Sequence, residues 1–192
     1  MTMIAVDGEA VTISLERAVD VAARDALLAR AMGANWTART SHRLRACRLP
    51  AEGLALAAHD RAGTLVGTVR LWNIAADVDR DGHAVPALIL GPLAVDPVRK
   101  GGGVGAALMR HAIAQATRLG HAAILLVGDA PYYERFGFSA AATTTLVLPG
   151  PVERERFLAL ELAEGALDGT AGMVVATGRR DTGSRAFLHF TA

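Results

Sequence analysis

The sequence predicts one α/β domain across residues 1–192, and three observations predict it. An apolar run, Ala87 to Val95, reads as a central strand covered on both faces. Four glycines among positions 101–105 then open a segment, Ala106 to Leu119, whose apolar residues recur at helical spacing. A second apolar run, Ala122 to Val127, follows a helix stop at Gly120. Strand, crossover helix and strand imply a parallel pair joined by a right-handed crossover.

In chain order, Val11 to Leu15 alternates as a first strand, and Asp20 can cap a helix in which Val21, Leu28 and Met32 recur. Gly33 stops that helix. Thr40 to Arg48 reads as an arginine-rich second helix ended before Pro50. Leu54 to His59 and Thr64 to Ile74 flank Asp60-Arg61-Ala62-Gly63, a hairpin signal. A polar loop from Ala75 to Pro86 carries Asp77, Asp79, Asp81 and His83. Gly91-Pro92 inside the central strand fits a bulge, because proline cannot donate to a ladder. In the long helix Val104, Leu108, Ala112 and Leu119 form one apolar stripe, with His111, Gln115 and Arg118 opposite. Pro131 to Phe136 reads as a short helix, with strands at Thr143 to Leu148, Arg156 to Leu162 and Met173 to Thr177. No repeat or interdomain linker is visible. The motif-bearing core spans 87–138, and 139–192 hold the last strands and a tail.

Composition excludes several classes. Hydrophobic residues make up 52% and charged residues 20%, enough for a sizeable core. A net charge of +1 is too balanced to suggest a nucleic-acid partner. No window holds about eighteen consecutive apolar residues, against a membrane span, and no signal peptide is legible. The single cysteine, Cys47, permits no intrachain disulfide and fits a reducing compartment. The expectation is a cytoplasmic protein.

The glycine junction carries the chemistry. Glycines there leave successive N–H groups uncovered before a helix N-terminus, which favours a phosphate or pyrophosphate. A phosphate-cradling NTPase loop needs lysine and Ser/Thr after its last glycine, whereas Lys100 precedes the glycines and Ala106 follows them. A dinucleotide site would use Gly101, Gly103 and Ala106, with Asp129 as the distant acid. The intervening Asp96 to Lys100 stands against it.

Leu93-Ala94-Val95-Asp96-Pro97, followed by Lys100 to Gly105, resembles the acyl-CoA-binding motif of the GCN5-related N-acetyltransferase (GNAT) superfamily, Arg/Gln-x-x-Gly-x-Gly/Ala. Lys100, Gly103 and Gly105 occupy its defining positions, with lysine where arginine or glutamine is usual. Lysine supplies a point charge without arginine's fork. Leu90 to Val95, Leu126 to Tyr133, Leu148 to Pro151 and Phe157 to Leu162 resemble the YhbS-like branch. The resemblance implies a three-layer acyl-CoA N-acyltransferase fold. Its central sheet is mixed and mostly antiparallel, with a splayed parallel strand pair and flanking helices. It also implies that acetyl-CoA is held by Leu93, Ala94, Val95, Lys100, Gly101, Gly102, Gly103, Val104, Gly105, Ala106 and Tyr133, with no metal. The pantetheine arm would lie between the splayed strands, the Val95 backbone amide serving as oxyanion donor.

Tyr133-Glu134-Arg135-Phe136-Gly137-Phe138 resembles the family's Tyr-x-x-x-Gly-Phe segment. The resemblance makes Tyr133 the general acid for the departing thiolate, while Tyr132 packs. The base is not evident: Glu161 is the candidate, with His83 behind it. Asp77, Asp79 and Asp81 alternate as in a calcium loop but lack its glycine and terminal glutamate, so they read as solvated. Cys47 reads as a buried or inert thiol, since no base accompanies it. A solvated face is the usual role of a run such as Arg39 to Arg48; turned to the site, it would favour an anionic acceptor. The function expected is acetyl transfer from acetyl-CoA to an amine, of a small molecule or a protein, by direct attack. The alternatives are a non-catalytic acyl-CoA sensor and an NAD-type oxidoreductase. Homodimers are common in such a family.

Overall fold

The computed structural model describes residues 2–6, 9–33, 35–78 and 81–182. The chain runs β1 (Thr2–Val6), β2 (Glu9–Leu15), α1 (Val21–Met32), β3 (Ala55–His59), β4 (Leu65–Val78) and β5 (Ala84–Val95). It continues α2 (Val104–Arg118), β6 (Ala123–Val127), α3 (Ala130–Glu134), β7 (Leu146–Val147), β8 (Phe157–Glu161), β9 (Gly172–Met173) and β10 (Val175–Ala176).

The main sheet has the order β1-β2-β3-β4-β5-β6-β8, with β10 on β4. Its pairs are antiparallel except β5 with β6, which are parallel only at Leu88↔Ile124 and Ile89↔Leu125. Pairing stops there because β5 kinks. Opposite β4 the register jumps from Leu71↔Leu90 to Val69↔Leu93, so Gly91 and Pro92 together face Arg70. That is the expected bulge, and Trp72 Nε1 anchors it by donating to Gly91 O at 2.9 Å. The mixed, mostly antiparallel sheet with one splayed parallel pair is the architecture the resemblance implied.

Period-two alternation covers both faces. Leu88, Leu90, Ile124 and Leu126 point to a core closed by Val104, Leu108, Ala112 and Ala116 of α2. Ala87, Ile89, Ala123 and Leu125 point to a second core with Trp72, Leu146 and Phe157. On that same face Leu27 of α1 packs on Ala57 and Leu65. Gly67 lets α2 come close: a Cβ there would meet Leu108 Cδ1 at 2.9 Å and Val104 Cγ1 at 3.0 Å.

Several local expectations are corrected. An additional strand, β1, forms a hairpin with β2. Asp20 does not cap α1; its carboxylate accepts from Arg17 N at 2.8 Å and closes the 3-10 turn Ala18–Asp20 before the helix. Thr40 to Arg48 is not an α-helix but a 3-10 turn, Thr40–Leu44. Leu119 is exposed, so the buried stripe of α2 is Val104, Leu108, Met109, Ala112 and Ala116. β4 and β5 extend into the polar loop, while Asp79 and the tail beyond residue 182 lie outside the described residues. Thr143 to Leu148 keeps only the two-residue β7, and Met173 to Thr177 divides into β9 and β10. Cys47 is exposed, with φ of +55°, rather than buried.

Candidate active site

The turn Pro97–Arg99 follows β5, with Pro at its start and Asp96 accepting from Val98 N at 3.2 Å. Asp96 also takes Arg30 Nη2 of α1 at 2.9 Å, which ties the loop to that helix and holds its carboxyl below the ordinary carboxylate range. Gly101 (φ +92°) and Gly103 (φ +85°) then adopt the left-handed backbone that L side chains resist. Gly103 is the N-cap of α2 and offers no side chain to its first-turn N–H groups. Those donors have no intrahelical partner, and the helix dipole adds partial positive charge. Gly105 is closely approached as well: a Cβ there would meet Tyr132 Oη at 2.9 Å and Val95 Cγ2 at 3.4 Å, so only a small side chain fits.

This loop lines a cavity of about 620 Å³ with Leu93, Ala94, Val95, Lys100, Gly101, Gly103, Val104, Gly105 and Ala106. Gly102 is not among the lining residues, and Lys100 is exposed. Lys100 N and Gly102 N donate within the loop, to Pro97 O and Arg99 O at 3.2 Å each, so the bare first turn of α2 is what the loop presents to an anion.

A larger cavity of about 930 Å³ is lined by Leu90 to Leu93 at the bulge and by Arg39, Thr40, Ser41 and Arg45. Val127, Gly128, Asp129, Pro151, Val152, Glu153 and Arg156 complete it. The two cavities share Met32, Leu93, Tyr132 and Tyr133.

Tyr133 is placed by α3. Tyr132 and Tyr133 meet edge to face, their ring centroids 4.9 Å apart, and Tyr133 packs on Phe138 at 6.0 Å. Tyr132 is covered by Arg135, whose guanidinium carbon lies 4.0 Å from the ring centroid. Burial, and then Tyr132, push the Tyr133 phenol up to about 12. It therefore stays a neutral proton donor across the physiological range.

Glu161 is not brought to this place. It pairs with Ala123, the end of β6 away from Val127, and its Oε1 accepts from Leu167 N at 2.7 Å. His83 precedes β5 at the end opposite Val95. Among the lining residues that sequence reasoning gave no role are Arg45 and Gly128. Arg45 lay inside an arginine run, and Gly128 lay inside the Leu126 to Tyr133 segment of the family resemblance, which marks the stretch and not this residue. Among the described residues, no group of three or more His, Cys, Asp or Glu could hold a metal ion, and no helix is long and apolar enough to cross a membrane.

Comparison with known proteins decides the family. Residues 21–138 match the acetyltransferase (GNAT) family. The chain belongs to the GNAT acetyltransferase family. It is 32% identical over 162 residues to the Escherichia coli (strain K12) protein described as uncharacterized N-acetyltransferase YhbS, covering 84% of this chain and 93% of that one. Its structure matches the crystal structure of E. coli YhbS in complex with CoA, with a TM-score of 0.71, 30% identity and coverage of 92% and 93%. A GNAT acetyltransferase from Brucella melitensis in complex with acetyl-CoA matches with a TM-score of 0.56, 27% identity and coverage of 82% and 98%. This GNAT chain is thus an N-acetyltransferase of the YhbS-like branch.

Proposed function

We propose that this protein transfers an acetyl group from acetyl-CoA directly to an amine. The observation that carries the reading is the meeting of two cavities at Tyr133 and Leu93, one built on the glycine loop and the other not. Such a pair separates a donor side from an acceptor side and leaves a phenol between them. The CoA complexes of the E. coli and Brucella relatives support the same donor here.

Bound acetyl-CoA supplies a thioester, the activated acyl donor. The first-turn amides of α2 and the backbone at Gly101, Gly103 and Gly105 would bind its pyrophosphate, with Lys100 adding a point charge at the rim. Leu93, Ala94 and Val95 would line the pantetheine arm where β5 leaves β6, the Val95 amide facing the developing oxyanion. Tyr133 holds a proton at Oη for the departing sulfur. With Glu161 at the far end of β8, no side-chain base is assigned.

Calorimetric titration with acetyl-CoA, with NADH as control, tests the donor. Micromolar binding of acetyl-CoA alone, with CoA release in the presence of amines, supports the reading. Binding without release under any amine marks a sensor. No binding of acetyl-CoA overturns it.

A further inference from the structure

Arg45 is buried as an arginine rarely is without a partner. Only 6% of it is exposed, and among the described residues its side chain makes one hydrogen bond, a long one, Nη2 to Ser41 Oγ at 3.4 Å. Its Nε is buried with no partner, as is that of the half-buried Arg70, so what sets Arg45 apart is that no carboxylate among the described residues pairs with its guanidinium. Its Nη1 lies 3.0 Å from where a Cβ on Gly91 would stand, so the missing side chain at the bulge makes room for the guanidinium. Burial, and then two more arginines, Arg39 and Arg70, lower its pKa to about 10.

The chain shows what a purely structural buried arginine looks like. Arg24, 8% exposed, pairs with Glu16 and Asp25. Arg70 pairs with the same Glu16 at 3.0 Å. Arg45, more deeply buried than Arg24, has no carboxylate among the described residues. A guanidinium out of water without a counter-charge is costly, and the cost is recovered when an anion arrives.

That charge belongs to the larger cavity, beside the bulge residues Leu90 to Leu93 that lead to Tyr133. The segment bearing it is tied down as a wall of that cavity. Thr40 Oγ1 donates to Pro151 O at 2.6 Å and Arg43 Nη1 to Pro149 O at 2.7 Å.

Resting on the acetyl-transfer reading, we infer that the acceptor is an amine that also carries a carboxylate, and that Arg45 binds this carboxylate in the larger cavity. A monoanion suits the site better than a phosphate. Arg45 is the single deeply buried cation there, Arg39 on the same wall is exposed to solvent, Arg156 faces Glu153 at 3.7 Å, and Asp129 and Glu153 bring negative charge to the cavity. Arg45 is therefore a specificity residue of the acceptor side, lining the larger cavity and not the one built on the glycine loop.

The test pairs each of a series of amino acids, the common α-amino acids and straight chains from glycine to aminohexanoate, with its own carboxamide. CoA release is followed with saturating acetyl-CoA. The acids are expected to exceed their carboxamides by roughly tenfold to hundredfold in kcat/KM, the worth of a charged hydrogen bond. Arg45→Gln should erase that preference through KM with acetyl-CoA affinity unchanged, and Arg45→Lys should restore part of it. Equal rates for acids and carboxamides overturn the proposal. So does acetylation of neither series by protein that binds acetyl-CoA, or a preference that survives in Arg45→Gln. If Arg45→Gln does not fold, the wild-type comparison and Arg45→Lys decide. A protein that fails to bind acetyl-CoA strikes the underlying reading instead, and calorimetry distinguishes that case.

Discussion

Gly128 lies so close to the Tyr133 ring that a Cβ on it would fall 2.1 Å from Cε2. The glycine at the end of β6 and the phenol on α3 are therefore one positional unit. The backbone at Gly128 is not left-handed, so alanine is forbidden by the neighbour and not by φ. Gly128→Ala should displace the ring, cost about 1–3 kcal/mol of stability through overpacking, and lower kcat. Acetyl-CoA affinity by calorimetry should stay within a few fold. A variant with wild-type kcat would mean that ring placement does not matter to turnover.

Tyr133→Phe removes the proton donor and keeps the ring. Turnover should fall by roughly 10²–10⁴, the usual worth of a positioned acid, while acetyl-CoA binding persists. Because burial raises the phenol to about 12, kcat should show no alkaline loss at an ordinary tyrosine value near 10. A pH–rate profile with a descending limb near pH 10 that vanishes in Tyr133→Phe would contradict this placement.

Gly105→Val puts branched bulk between Tyr132 Oη and Val95, on the first turn of α2. Acetyl-CoA affinity should weaken at least tenfold, equivalent to about 1.4 kcal/mol, with the far-ultraviolet circular dichroism spectrum unchanged. Undiminished affinity would place the pyrophosphate elsewhere.

Trp72→Phe leaves Gly91 O without its indole donor at the bulge. Loss of a buried hydrogen-bond partner costs about 1–3 kcal/mol, read as a lower Tm. The bulge walls the larger cavity, so KM for the acceptor should rise more than the Kd of acetyl-CoA. Equal changes in both would show that the bulge serves only stability.

Asp20 gives a pH signature of stability away from the site. Hydrogen bonds from Arg17, opposed by burial and aided by His59 at 3.0 Å, hold its carboxyl far below the usual range. A depressed folded-state pKa stabilises the protein above the unfolded value, near pH 4, and that contribution drains away as pH falls below it. The Tm gap between wild type and Asp20→Asn should be widest above about pH 5 and close toward pH 2. A gap independent of pH would mean the charge is not what stabilises.

The local sequence was sufficient for the parts whose physics is local. The periodicity of Val104 to Ala116 determined a helix and the glycines at 101, 103 and 105 its bare N-terminus, while Gly91-Pro92 fitted either a bulge or a simple bend until the register opposite β4 decided for the bulge. The spacing of Tyr133 to Gly137-Phe138 carried the family resemblance. Only the tertiary structure decided the rest. Glu161 and Tyr133 are both near the ends of elements, but antiparallel pairing of β8 on β6 sends the glutamate to the opposite end of the sheet. Asp20 is a good cap residue by type, yet Arg17 three positions earlier captures its carboxylate. Arg45 is indistinguishable in sequence from its solvated neighbours Arg39 and Arg43. Its burial follows from the fold of the Thr40–Leu44 turn onto Gly91 and the 149–151 loop, contacts across 46 to 111 positions that no local pattern encodes.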